Sequence, residues 1–130
     1  MLHTSYIQLD QKALSDNISF LKSLVPSGTR FSMVAKANAY GHGVIEVAKT
    51  VLKEGVNHLG VATIEEGIQL RKAGIKENIL ILGTLIPEQI EDVIKYRLTP
   101  TIYDYDLAKE ISNTAKQLKV HIKLDTGMGR

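Results

Sequence analysis

One amine in the chain has a setting that invites covalent chemistry. Lys36 ends the apolar run at residues 31–35 and is followed by Ala37-Asn38-Ala39-Tyr40-Gly41-His42-Gly43. In parallel α/β folds, ligands bind at the C-terminal ends of the strands. A lysine there can form a Schiff base, with a carbonyl substrate or with pyridoxal phosphate. Attack needs the neutral amine, which an ordinary lysine offers in only about one molecule in a thousand near pH 7.4. Such chemistry therefore requires a dry or cationic setting. Taken alone, a lysine at a strand end is a weak signal that suits a solvated or salt-bridged role better, and Tyr40 suits a packing aromatic under its loop best. Competing chemistries are poorly supported. His3, His42, His58 and His121 are scattered without metal-ligand spacing. Glu65/Glu66 and Asp104/Asp106 read as helix-start charges. There is no cysteine and no nucleophile-elbow serine.

The elements that position Lys36 follow a simple alternation. Short apolar runs at 31–35, 58–62, 78–82, 98–103 and 120–124 read as strands, and each of the first four is followed by a helical segment. An opening helix over 11–24 carries Leu14, Ile18 and Leu21 at helical spacing, with Asp10 placed to cap it. Val44, Val47, Ala48, Val51 and Leu52 form one stripe, closed by Gly55. Thr63 and Glu66 have capping-box spacing, and Gly74 closes that helix. Pro87 suits a first helical turn, and Asp104 can cap the last helix. The alternation predicts a parallel sheet, either doubly wound or the first five strands of a (β/α)8 TIM-like barrel. No Gly-x-Gly-x-x-Gly loop follows the first strand, which weakens the dinucleotide-binding alternative.

The strand faces sharpen this reading, because side chains alternate across a strand. Val120, Ile122 and Leu124 oppose His121, Lys123 and Asp125. Leu98, Pro100 and Ile102 oppose Thr99, Thr101 and Tyr103. Phe31, Met33 and Ala35 oppose Ser32, Val34 and Lys36. If helices cover the apolar faces, the barrel interior holds two lysines, two histidines, an aspartate and several hydroxyls. A hydrogen-bonded polar core or one wet sheet face would account for that, and so would a polar reaction chamber.

Composition bounds the function. The 130 residues are one domain's worth of chain, and sixteen basic against fourteen acidic side chains leave a net charge of +2. That balance gives no footprint for nucleic acid or an anionic membrane. Apolar runs reach four or five residues, too short to span a bilayer. No secretory signal is visible in Met1–Ser5, so a cytoplasmic protein is expected.

Two segments carry a family resemblance. Val34-Ala35-Lys36-Ala37-Asn38-Ala39-Tyr40-Gly41-His42-Gly43 closely resembles the cofactor-lysine segment of alanine racemases, a pyridoxal-phosphate family. His121-Ile122-Lys123-Leu124-Asp125-Thr126-Gly127-Met128-Gly129-Arg130 resembles the family's strand-and-turn segment reaching the arginine beside the cofactor. Ile7-Gln8-Leu9-Asp10 and Ile79-Leu80-Ile81-Leu82-Gly83 also fall in the family's order and spacing. The resemblance implies pyridoxal 5′-phosphate-dependent interconversion of L- and D-alanine, supplying D-alanine for peptidoglycan, in a homodimer. It implies that residues 1–130 are the N-terminal portion of the cofactor-binding (β/α)8 barrel domain, without the family's C-terminal β domain. Such an N-terminal fragment is expected to be inactive alone.

By the same resemblance, Lys36 carries the cofactor and serves as an acid/base group at one face of the substrate's α-carbon. Tyr40 hydrogen-bonds the cofactor's phosphate, and Leu82 lines its ring. Arg130 holds its phenolic oxygen and the substrate carboxylate. Lys123 matches a position that is N-carboxylated in many members. The second proton carrier is a tyrosine of the partner subunit, and none of the five tyrosines here matches it. Two other readings stay open: a non-catalytic pyridoxal-phosphate carrier on a related barrel, and a cofactor-free lysine aldolase. Related racemases act on serine or on several amino acids, so the substrate is an expectation as well.

Overall fold

A computed structural model describes residues 5–115 and 117–129 of the chain, so His3 and Arg130 lie outside the described residues. Five strands pair in parallel: β1 (Ser32–Val34), β2 (His58–Val61), β3 (Asn78–Ile81), β4 (Thr99–Ile102) and β5 (His121–Ile122). Their order in the sheet is β1-β2-β3-β4-β5. That order separates the two architectures the alternation allows. A doubly wound sheet reverses its strand order partway across, whereas barrel strands are laid down in chain order. The chain is thus α/β, with the strand order of the N-terminal portion of a (β/α)8 barrel.

The helices form where the local signals place them. Helix α1 (Gln11–Ser23) starts with the Asp10 carboxylate accepting from the Ala13 amide at 2.9 Å. Residues Lys36–Tyr40 form the short α2, and α3 follows over Val44–Lys53. Helix α4 (Ile64–Lys72) opens with a full Thr63/Glu66 capping box. Pro87–Gln89 make one 3-10 turn leading into α5 (Ile90–Lys95). Asp104 caps α6 (Tyr105–Thr114), accepting from the amides of Asp106 and Leu107. Gly55 and Gly74 follow α3 and α4 at φ +80° and +87°, a conformation that costs glycine nothing.

The core lies between the outer sheet face and these helices. Ala35, Leu59, Val61, Ile79 and Ile81 are fully buried there, against Val47, Ala48 and Val51 of α3, Leu70 of α4 and Val93 of α5. Each such Leu, Ile or Val side chain contributes roughly 1.5–3 kcal/mol by leaving water. The inner face carries polar side chains, as the alternation predicts for most of the strands. The Asn78 amide and the His58 ring meet at 3.1 Å. Part of this polarity serves the sheet itself. Pro100, paired with Ile81, has no N–H for the ladder, and the buried Thr101 hydroxyl donates to the Ile81 carbonyl at 2.6 Å.

At the N-terminal end of the sheet, Arg71 ties the loops together. Its guanidinium donates to the carbonyls of Ile75, Glu77, Tyr96 and Arg97 at 2.7–2.9 Å. Desolvation by burial lowers its pKa, Glu77 opposes that shift, and Arg97 adds to it. Among the described residues, no helix is long and apolar enough to cross a membrane.

Candidate active site

Lys36 stands half-buried at the C-terminal end of β1, where the ladder stops: the Ala35 amide donates to the Gly60 carbonyl at 2.7 Å. The chain then turns in a left-handed sense. Ala37, Asn38, Ala39 and Tyr40 have φ between +52° and +55°, so α2 is a turn of left-handed helix built without glycine. Such a conformation costs an L-residue roughly 1–2 kcal/mol, less for asparagine. Gly41 and Gly43 allow a tight turn by sequence, but the left-handed run begins ahead of them, at Ala37.

The turn is held from several sides. The Ala39 amide donates back to the Ala35 carbonyl at 3.0 Å, and Ala39 itself is buried. The Gly41 and Gly43 amides donate to the Asn38 carbonyl at 3.1 and 3.0 Å. The Asn38 side chain accepts from the Val44 amide at 2.9 Å, which satisfies one of the unpaired donors opening α3. The His42 ring meets the Ala39 carbonyl at 2.9 Å, which ties it to the loop. The Glu66 carboxylate accepts from the Ala37 amide through Oε1 and from the Ala62 amide through Oε2, both at 2.7 Å.

Asn38 and Glu66 are the site residues that the sequence reading passes over. Asn38 carried a signal, since asparagine tolerates the left-handed region and sits between a strand end and a glycine turn. Glu66 is legible only as a helix cap.

The expected site residues fall into two groups at this end of the sheet. Lys36 and Tyr40 share the turn after β1, and Tyr40 is 59% exposed. Leu82, just past β3, is 39% exposed on the inner face, close to Gly60 and, across it, Val34. A Cβ built on Gly60 would stand 3.3 Å from Leu82 Cδ1 and 3.7 Å from Val34 Cγ2, so these residues form a low apolar strip along the inner face. In the second group, Lys123 and Asp125 follow β5 and line a hollow of about 530 Å³ with Thr84 and Tyr103. The Tyr103 hydroxyl bonds the Thr84 hydroxyl at 3.0 Å. Asp125 Oδ1 accepts from the amides of Gly127 and Gly129 at 2.9 and 3.1 Å, shaping the segment that leads to Arg130. Lys123 is exposed in this chain rather than buried, although it lies on the interior side as the strand alternation predicts.

Comparison with known proteins agrees with this geometry. The family model for the alanine racemase N-terminal domain matches residues 9–130. An alanine racemase of Nostoc sp. is 47% identical over 97% of this chain, which spans 34% of that relative's length. Among solved structures, alanine racemase of Clostridium difficile 630 superposes with a TM-score of 0.89 at 42% identity, covering 92% of this chain and 34% of that one. A histidine racemase of Leuconostoc mesenteroides superposes at 0.83 with 27% identity, over 92% of this chain and 33% of its own. The chain thus spans about a third of the length of the relatives it matches. With the family model matched from residue 9 to residue 130 and the barrel strand order in place, the chain belongs to the alanine racemase family, to its N-terminal domain.

Proposed function

We propose that the complete protein interconverts L- and D-alanine with pyridoxal 5′-phosphate held on Lys36, and that residues 1–130 are the N-terminal portion of the barrel domain that binds it. The observation that carries this reading is a half-buried lysine at the C-terminal end of β1, followed by a strained, over-determined turn, in a chain of this family. The chemistry of the site suits the cofactor. Lys36 offers an amine to an aldehyde, and the Val34–Gly60–Leu82 strip offers an apolar surface to an aromatic ring. Tyr40 offers an exposed hydroxyl, and the ten-residue α3 begins just past the glycine turn, a favourable place for a phosphate.

When bound, pyridoxal phosphate supplies an electron sink that makes the α-proton of an amino acid removable. Lys36 Nζ would then remove the α-proton of one enantiomer from its own face, and would deliver a proton to that face when the other enantiomer reacts. Tyr40 anchors the phosphate, and Leu82 packs beside the ring. Arg130, which lies outside the described residues, holds the phenolic oxygen and the substrate carboxylate. Racemisation needs a second proton carrier on the opposite face, and we assign it to a tyrosine of the partner subunit in a homodimer. Lys123 is N-carboxylated in this reading, a change from cation to anion that would let it orient the Arg130 guanidinium. Intact-mass and peptide analysis of gently handled protein then finds one carbon dioxide added to Lys123, and a bare amine contradicts the modification. The D-alanine formed would serve peptidoglycan synthesis in the cytoplasm.

Alanine is favoured as substrate by the 33–48% identity to alanine racemases, against 27% to the histidine racemase. Lys36→Ala in the complete protein tests the whole reading. It should abolish both alanine interconversion and the cofactor's visible absorption, and survival of both overturns the assignment. Colour without turnover on alanine, serine or histidine in the unsubstituted protein would instead indicate a carrier.

A further inference from the structure

We propose that Glu66 is a positioning residue for Lys36: its carboxylate fixes the left-handed turn that begins at the residue after the lysine. This rests on the assignment of Lys36 above. Glu66 reads first as the third residue of α4, completing a capping box with Thr63. Its carboxylate does more than a box requires. The contact back to the Thr63 amide is the longest of its three, at 3.4 Å. The two 2.7 Å bonds go to the Ala37 and Ala62 amides, at the ends of β1 and β2. Bonds from backbone N–H to an ionised carboxylate are roughly twice as strong as neutral ones.

The turn needs such a hold. Left-handed residues without glycine persist only where their surroundings over-determine them. Lys36 is flanked by two fixed amides: that of Ala35, which donates to Gly60, and that of Ala37, which donates to Glu66. Losing the second frees the backbone at Lys36 on one side. The buried residues of α4, Ile64, Gly67 and Leu70, keep their packing.

Two substitutions in the complete protein separate positioning from capping. Glu66→Gln keeps the size and one acceptor oxygen but turns an NH2 group toward one of the two amides. Thr63→Ala breaks the box and leaves both 2.7 Å bonds. Glu66→Gln should lower kcat by about tenfold or more, with KM for alanine changed by less than about threefold. In cofactor-free protein, the amides of residues 37–43 should exchange with deuterium about tenfold faster in Glu66→Gln and within about twofold of wild type in Thr63→Ala. Thr63→Ala should lower the thermal midpoint while leaving kcat unchanged. If the two variants lose stability alike, and neither alters kcat nor exchange in 37–43, Glu66 is only a cap and the proposal fails. Should Glu66→Gln not fold, Glu66→Asp carries the same comparison, because its shorter stem cannot span both amides; unchanged kcat and exchange there overturn the proposal too. Absence of cofactor absorption in the wild-type protein would defeat the Lys36 assignment instead. The exchange comparison would still decide whether Glu66 fixes the turn.

Discussion

Helix α4 ties both ends of the sheet, and it does so with opposite chemistry. In its last turn Arg71 gathers four backbone carbonyls, and in its first turn Glu66 gathers three backbone amides. The arginine end joins the loop after α4 to the loop after α5, where Arg97 is the one non-glycine residue at positive φ among the described residues there. The glutamate end holds four consecutive left-handed residues beside Lys36. In barrels of this kind the N-terminal end of the strands serves stability and the C-terminal end serves chemistry. The contrast shows how one short helix meets both demands: a cation collects carbonyls where the loops need only be held, and an anion collects amides where a strained turn must be kept.

The largest way to break this contrast is at Arg71. Arg71→Ala strands four carbonyls, two of them part-buried, and should cost about 2–4 kcal/mol in a urea titration of the complete protein. Under native conditions its kcat and KM should stay close to wild type. A loss of turnover without a loss of stability would erase the distinction between the two ends.

A smaller and sharper probe is the sign of a glycine substitution. Ala13 lies exposed in right-handed α1, and Ala37 lies exposed in the left-handed turn. Ala13→Gly should destabilise by about 1 kcal/mol. Ala37→Gly relieves a left-handed alanine and should stabilise by up to about 1 kcal/mol, after the added freedom of the unfolded chain is counted. Equal losses from both would mean that residue 37 is not held in the left-handed region.

The smallest effect concerns Glu65. Its own backbone N–H, and next the Thr63 hydroxyl, hold its carboxyl below the ordinary value of 4.5. A carboxyl lowered on folding adds stability above its ordinary range, and that stability is lost as pH falls through the folded value. Glu65→Gln should therefore be slightly less stable than wild type near neutrality. The gap should close in acid, and thermal melts across pH 3–7 would follow it.

What the sequence revealed was local. Asp10, the Thr63/Glu66 pair, Asp104, Gly55 and Gly74 stop and start helices through contacts within four residues, so spacing alone locates them. The barrel-facing alternation was legible for the same reason, and it put Lys123 on the side where it lines the hollow with Tyr103; Leu82 was not legible this way, because its strand is apolar on both faces. Strand order was not legible in the alternation, which suits a barrel and a doubly wound sheet alike; only the family resemblance pointed to the barrel order that the sheet has. The left-handed turn was hidden for a different reason. Alanine and tyrosine disfavour positive φ, and part of what imposes it on them comes from Glu66, 29 positions along the chain from Ala37. The apolar run at 120–124 predicts a longer last strand, yet only His121 and Ile122 form it, paired with Thr101 and Ile102.

Cofactor attachment comes down to one nitrogen, Lys36 Nζ. Borohydride reduction of the complete, cofactor-loaded protein, followed by peptide mass mapping, should place a pyridoxyl-phosphate group on Lys36 and on no other lysine. A stable label on a different residue, or protein that carries the cofactor with Lys36 unmodified, would contradict it.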